Sequence, residues 1–136
     1  MSKPKILVAD DDRMLRALLS HKLKALGCDI VATENGKEAL EVLENESIDL
    51  VILDGMMPIM DGTEALQRMR ANPKTADLPV IMLTARRREE DAILALEMGA
   101  TDYISKPFNP DELMIRIRRW LNGSGQNQAG SVSSVS

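Results

Sequence analysis

The chain predicts an α/β domain with a doubly wound sheet of five parallel strands and five helices spread over both faces. Two observations carry this. Short apolar runs alternate strictly with segments of helical periodicity, the pattern of strand–helix crossovers. The runs also end in residues that carry chemistry: Asp10-Asp11-Asp12 after Ile6–Ala9, Asp54 after Ile48–Leu53, Thr84 after Val80–Leu83, and Lys106 after Tyr103–Ser105. Ligands of such sheets bind beyond the carboxyl ends of the strands, so these side chains are expected to share one site.

The elements follow in order. Ile6–Ala9 is the first strand. Asp12 is an N-cap for a helix whose Leu15, Leu19, Leu23 and Leu26 recur at helical spacing, with Gly27 as its C-terminal cap. Cys28–Ala32 reads as the second strand, and Asn35-Gly36 leads into a short helix around Ala39, Leu40 and Leu43. After the third strand, Met57-Pro58 and Asp61-Gly62 mark a loop before a helix over about 63–71, closed by Asn72-Pro73. The fourth strand follows Pro79. A helix over 87–98 ends at Gly99, and a short fifth strand covers 102–105. The last helix has Asn109 as N-cap, Pro110 in its first position and Asp111-Glu112 at the positive end of its dipole. Leu113, Ile117, Trp120 and Leu121 supply its buried face.

Residues 1–121 therefore form one domain. Residues 122–136 are rich in Ser and Gly and too polar to build a core, so they are expected as a disordered tail or linker reaching about 20 Å. With 136 residues, 44% hydrophobic and 2% aromatic, the core must be built from Leu, Ile, Val, Ala and Met. The net charge of −4 offers no basic stripe, which argues against direct nucleic acid binding by this chain. A single Cys28 excludes an internal disulfide and suits a cytoplasmic setting. No run approaches the roughly 18 apolar residues of a membrane span.

The strand-end residues fit one chemistry. Carboxylates are preferred ligands of Mg²⁺, which takes one or two of them plus a phosphate oxygen, so Asp10, Asp11 and Asp54 are the candidate metal ligands. Asp54 could act as a nucleophile towards phosphorus and form an acyl phosphate. The Lys106 ammonium and the Thr84 hydroxyl would stabilise charge on the phosphoryl oxygens.

The stretches Ile6–Asp12, Leu53–Gly62 (Leu-Asp-Gly-Met-Met-Pro-Ile-Met-Asp-Gly), Leu83-Thr84-Ala85 and Tyr103–Phe108 (Tyr-Ile-Ser-Lys-Pro-Phe) resemble the receiver domain of bacterial two-component response regulators. The resemblance covers residues 4–121 with every motif in order. It implies the flavodoxin-like strand order 2-1-3-4-5, which the residue pattern alone does not supply. It further implies that Asp54 accepts a phosphoryl group from a sensor histidine kinase or phosphotransfer protein. Asp10 (through water) and Asp11 would hold Mg²⁺, with the Met56 carbonyl as a further ligand. Thr84 and Tyr103 would form a switch that reshapes the surface of the fourth helix, fifth strand and fifth helix, so as to control an output domain or partner protein. The Lys106-Pro107 bond would be cis. A phosphorylation-dependent homodimer through that surface would use Asp102, Glu112 and Arg116, although Thr101 and Ala92 stand where charges are usual. Met56 and Arg86, two residues after Asp54 and Thr84, flank the path of attacking water in that family. Since Met56 cannot orient water by a strong hydrogen bond, slow self-hydrolysis is expected.

The same residues allow other readings. Asp61 reads as a turn residue, His21 as solvated, Cys28 as a small hydrophobe, and Arg86, Arg87 and Arg88 as a solvated helix start. A phosphatase working through an aspartyl phosphate would need an acid/base two residues after its nucleophile, where Met56 stands. A dinucleotide or flavin module would be expected to show G-x-G-x-x-G after the first strand, which is missing. A pseudo-receiver would have lost part of the residue set, and here it is complete.

Overall fold

The computed structural model describes residues 3–85, 93 and 95–135, with 123–135 given by their backbone. The strands are β1 (Lys5–Ala9), β2 (Asp29–Thr33), β3 (Leu50–Asp54), β4 (Val80–Thr84) and β5 (Asp102–Ser105). All neighbours pair parallel, in the order β2-β1-β3-β4-β5 that the resemblance implied. The helices are α1 (Arg13–Ala25), α2 (Gly36–Asn45), α3 (Gly62–Ala71), α4, described at residues 93 and 95–97, and α5 (Pro110–Val135). Of the helix expected over 87–98, residues 87–92 and 94 lie outside the described residues, and Arg86, Arg87, Arg88 and Ala92 lie outside them too. Gly99, at φ 109°, closes α4 as expected.

Strand alternation sorts the interior into two cores. Ile6, Val8, Leu50, Ile52, Ile81, Leu83 and Ile104 meet Leu19 and Leu23 of α1 and Leu113, Met114 and Ile117 of α5. Leu7, Ala9, Val51, Leu53, Val80 and Met82 point the other way, against Ala39 and Leu43 of α2 and Ala65, Leu66 and Met69 of α3. The central strands β3 and β4 are buried at every position, whereas edge strand β2 is partly open to solvent along most of its length. Period-two side chains on a sheet covered on both sides produce this division.

Several strand boundaries differ from the sequence expectation by one or two residues, and two of the shifts have a clear local reason. The Cys28 amide donates to Leu23 O at 3.0 Å, closing α1, so β2 starts one residue later than expected. Asp49 N donates to Lys5 O, and the Asp49 carboxylate accepts from Lys5 N, both at 2.8 Å. This lead-in delays β3 to Leu50. The backbone of α5 continues as helix to Val135, past the end expected at Leu121 and through the segment expected as a disordered tail. The partly buried residues of α5 that pack on the core end with Trp120 and Leu121. Among the described residues, no helix is long and apolar enough to cross a membrane.

Candidate phosphoacceptor site

The parallel sheet brings the ends of β1, β3 and β4 and the residue after β5 to one edge. Asp10 is fully buried and Asp54 is 5% exposed, while Asp11 faces solvent. One carboxylate oxygen from each of Asp10, Asp11 and Asp54 lies within 4.8 Å of the others. Lys106 Nζ stands between two of them, 2.9 Å from Asp10 Oδ2 and 3.4 Å from Asp54 Oδ2. The Lys106-Pro107 bond is cis.

Local structure fixes the remaining lone pairs. Asp10 Oδ1 accepts from Asp12 N at 2.8 Å, and Asp54 Oδ1 accepts from Met56 N at 3.3 Å. Asp12 turns its own carboxylate to Met14 N and Leu15 N, the N-cap role expected of it. Asp61 caps α3 by accepting from Glu64 N at 2.9 Å, a turn role and not a second anion site. Thr84 is 4% exposed. Its hydroxyl lies beside Gly55, where a Cβ would stand 3.4 Å away. The Thr84 carbonyl accepts from Lys106 N at 2.7 Å, which ties β4 to the lysine. Tyr103 is partly buried against the α2/α3 core, and Met56 is 58% exposed at the mouth of the site.

The electrostatics are unbalanced. Burial, and then the charge of Asp10, push the Asp54 carboxyl from 3.8 up to about 6, against the opposing pull of Lys106 and the Met56 N–H. Burial alone would lower the Lys106 ammonium, but the hydrogen bond and charge of Asp10 and the charge of Asp54 raise it overall. Among the described residues, one ammonium thus serves two buried carboxylates with a third close by. A hard divalent cation would relieve this surplus, and oxygen donors are what Mg²⁺ takes. The residues present fit that ion.

Sequence reasoning missed two contributors. Arg16 donates NH1 to the Asp10 carbonyl at 2.8 Å and approaches Glu34 Oε2 at 3.9 Å, bracing the start of the acidic segment. Its signal was available: Arg16 lies three and seven residues before the buried Leu19 and Leu23, a cation on an apolar stripe. Gly62 was legible only as part of the Asp61-Gly62 turn. A Cβ there would collide with the Asp54 carbonyl oxygen, so glycine is what lets α3 start against the Asp54 backbone. On the far side of β5, Asp102, Glu112 and Arg116 are paired within the chain. Arg116 NH1 donates to Asp102 Oδ1 at 2.8 Å and Arg116 NH2 to Glu112 Oε2 at 2.9 Å, while Trp120 Nε1 donates to Asp102 Oδ2 at 3.1 Å. Thr101, at a position where the family usually has a charge, accepts from Val80 N at 2.9 Å through its hydroxyl.

Comparison with known proteins agrees with this geometry. Residues 6–118 match the family model of the response regulator receiver domain. The chain belongs to that family. This receiver domain is 48% identical over 120 residues to the transcriptional regulatory protein CpxR of Escherichia coli, covering 88% of the chain and 50% of that protein. The chain spans about half the length of the curated relatives it matches. Among solved structures it is similar to the receiver domain of the Francisella response regulator 1452, with a TM-score of 0.85 and 36% identity, covering 90% of this chain and 99% of that one. It is also similar to the receiver domain of the sensor histidine kinase PA1611 from Pseudomonas aeruginosa, which carries a magnesium ion in its active-site cleft. There the TM-score is 0.80 and the identity 28%, covering 89% of this chain and 99% of that one. Membership makes this chain a signalling module of the two-component type, and its acidic cluster is of the kind that holds Mg²⁺ in such domains.

Proposed function

We propose that Asp54 accepts a phosphoryl group from a histidine kinase or phosphotransfer protein. The observation that carries this is the placement of a buried carboxylate beside two others and a bridging ammonium at the carboxyl edge of the sheet. An Asp54 carboxylate oxygen forms the new P–O bond as the donor's P–N bond breaks, and the departing imidazole nitrogen keeps the electron pair and takes a proton. Bound Mg²⁺ would neutralise charge on the phosphoryl oxygens, held by Asp10, Asp11, Asp54 and the Met56 carbonyl. Lys106 leaves Asp54 for the phosphoryl oxygens without leaving Asp10, because it already contacts both. The Thr84 hydroxyl donates to another oxygen, and Thr84 and Tyr103 together carry the change to the face of α4, β5 and α5. Met56 offers no strong acceptor to attacking water, so the acyl phosphate is lost slowly.

Residues 1–121 act as the receiver, and 122–136 lead towards an output domain or serve as a tail. The similarity to transcriptional regulators favours a DNA-binding output beyond this chain, and the protein would act in the cytoplasm. A groove of about 420 Å³ lined by Leu15, Leu18, Lys106, Pro107 and Phe108 gives a protein donor apolar surface beside the lysine. A phosphorylation-dependent homodimer would have to exchange the internal pairs of Asp102, Glu112 and Arg116, which sedimentation with and without a phosphoryl mimic would detect. The central test is to incubate the protein with acetyl phosphate and Mg²⁺ and weigh it intact. One added phosphoryl group is expected, absent from Asp54→Asn and absent with chelator. Addition that persists in Asp54→Asn would move the acceptor elsewhere.

A further inference from the structure

Helix α3 is gripped at both ends, and the two grips lie at opposite poles of the sheet. At the site, Gly62 N donates to Gly55 O at 3.1 Å, and a Cβ on Gly62 would collide with the Asp54 carbonyl. The acceptor's own backbone rests on the first residue of the helix. At the other end, the half-buried Arg70 donates Nε to Gly99 O at 2.8 Å and NH1 to Thr75 O and Ala76 O at 3.0 and 3.1 Å. One planar guanidinium therefore binds two separate segments, the loop before β4 and the turn before β5. Gly99 is shaped around it: its φ is 109°, and a Cβ there would lie 2.8 Å from Arg70 Cγ. A lysine, as a point charge without the fork, could not span both segments.

The turn that Arg70 holds leads directly into β5. Thr101 N donates to Val80 O at 2.8 Å, and the next residue, Asp102, anchors both Trp120 and Arg116. Packed or hydrogen-bonded contacts thus run from Asp54 through Gly62, α3, Arg70 and Gly99 to the start of β5. We infer that Arg70 is a positioning residue that makes α3 a strut, carrying displacement of the acceptor loop to the base of β5 and its Trp120–Asp102–Arg116 cluster. The inference rests on the reading of Asp54 as acceptor, since phosphoryl chemistry is what loads the loop. Contiguity alone does not establish coupling, so the experiment measures the coupling itself.

Trp120 is the sole tryptophan of the chain, which makes its fluorescence a reporter at the far end of the strut. The full chain is saturated with beryllofluoride and Mg²⁺, occupancy is read by fluorine NMR, and the change in Trp120 emission is expressed per bound mimic. Wild type responds. Arg70→Met reaches the same occupancy but loses about half or more of the response per bound mimic. Arg70→Lys, which keeps the stem and charge and serves if the methionine variant fails to fold, also loses response because it cannot hold both segments. A merely structural arginine would lower urea stability and leave the response per bound mimic intact, and that result overturns the strut. A saturated wild type whose Trp120 stays silent overturns it as well. A wild type that binds no beryllofluoride with Mg²⁺ overturns the acceptor reading and the strut with it.

Discussion

The two ends of the sheet handle buried charge in opposite ways. At the amino end, the Arg70 guanidinium is met by three neutral carbonyls, and Thr75 Oγ1 donates to Met69 O at 2.7 Å. The charge of Asp77 favours the Arg70 cation against the burial that opposes it, so the two signs are present together. At the carboxyl end, among the described residues, two buried carboxylates share one ammonium, with a third carboxylate at the rim. Hydrogen bonding satisfies many of their lone pairs, yet the surplus negative charge stays. One end is arranged for stability, and the other is left short of positive charge that a ligand can supply.

Removing charge from the unbalanced end should have the largest effect. Lys106→Met leaves Asp10 and Asp54 buried without their cation and should cost about 4 kcal/mol in urea unfolding without metal. A cost near zero would mean the carboxylates are not in electrostatic debt to it. Gly62→Ala should cost more than about 3 kcal/mol, since its Cβ meets backbone that cannot rotate away. Asp54→Asn should act in the opposite direction. The folded carboxyl is raised from 3.8 to about 6, so ionising it costs the folded state more than the unfolded one. Metal-free stability should therefore fall as pH rises from about 4 to about 6, and the asparagine variant should escape that loss, gaining up to about 3 kcal/mol above pH 6 and nothing below pH 4. Equal pH profiles for the two proteins would contradict the raised value.

Mg²⁺ at about a hundred times its dissociation constant should raise stability by about 2.7 kcal/mol, and Asp11→Asn should shrink that response. A metal response unchanged by Asp11→Asn would remove Asp11 from the ligand set. The smallest effect belongs to an exposed pair away from both ends. Arg68 donates to Glu64 at 2.8 Å across one turn of α3, and Arg68→Ala should change stability by less than about 0.5 kcal/mol.

Legibility in the sequence follows the range of the interactions. Asp12 as N-cap, Gly27 as helix terminator at φ 86° and Cys28 as a buried hydrophobe all rest on neighbours within a few residues, and each stands as the local pattern implied. Arg16 was partly legible, as a cation on an apolar stripe. The roles of Gly62 and Arg70 were not, because a collision with Asp54 and a reach of 29 residues to Gly99 exist only after the chain is folded.

By itself, the sequence determined the alternation of strands and helices, the residues at the strand ends, and hence which carboxylates, hydroxyl and ammonium share an edge. Hydrophobic period and end-of-strand position suffice for that, since a parallel sheet aligns all its carboxyl ends. Only the tertiary structure decided that Lys106 bridges Asp10 and Asp54, that burial leaves Asp54 hard to ionise, and that Arg70 joins α3 to the turn before β5. These depend on distances between residues far apart in the chain and on how much water folding removes, and neither is a property of any local stretch.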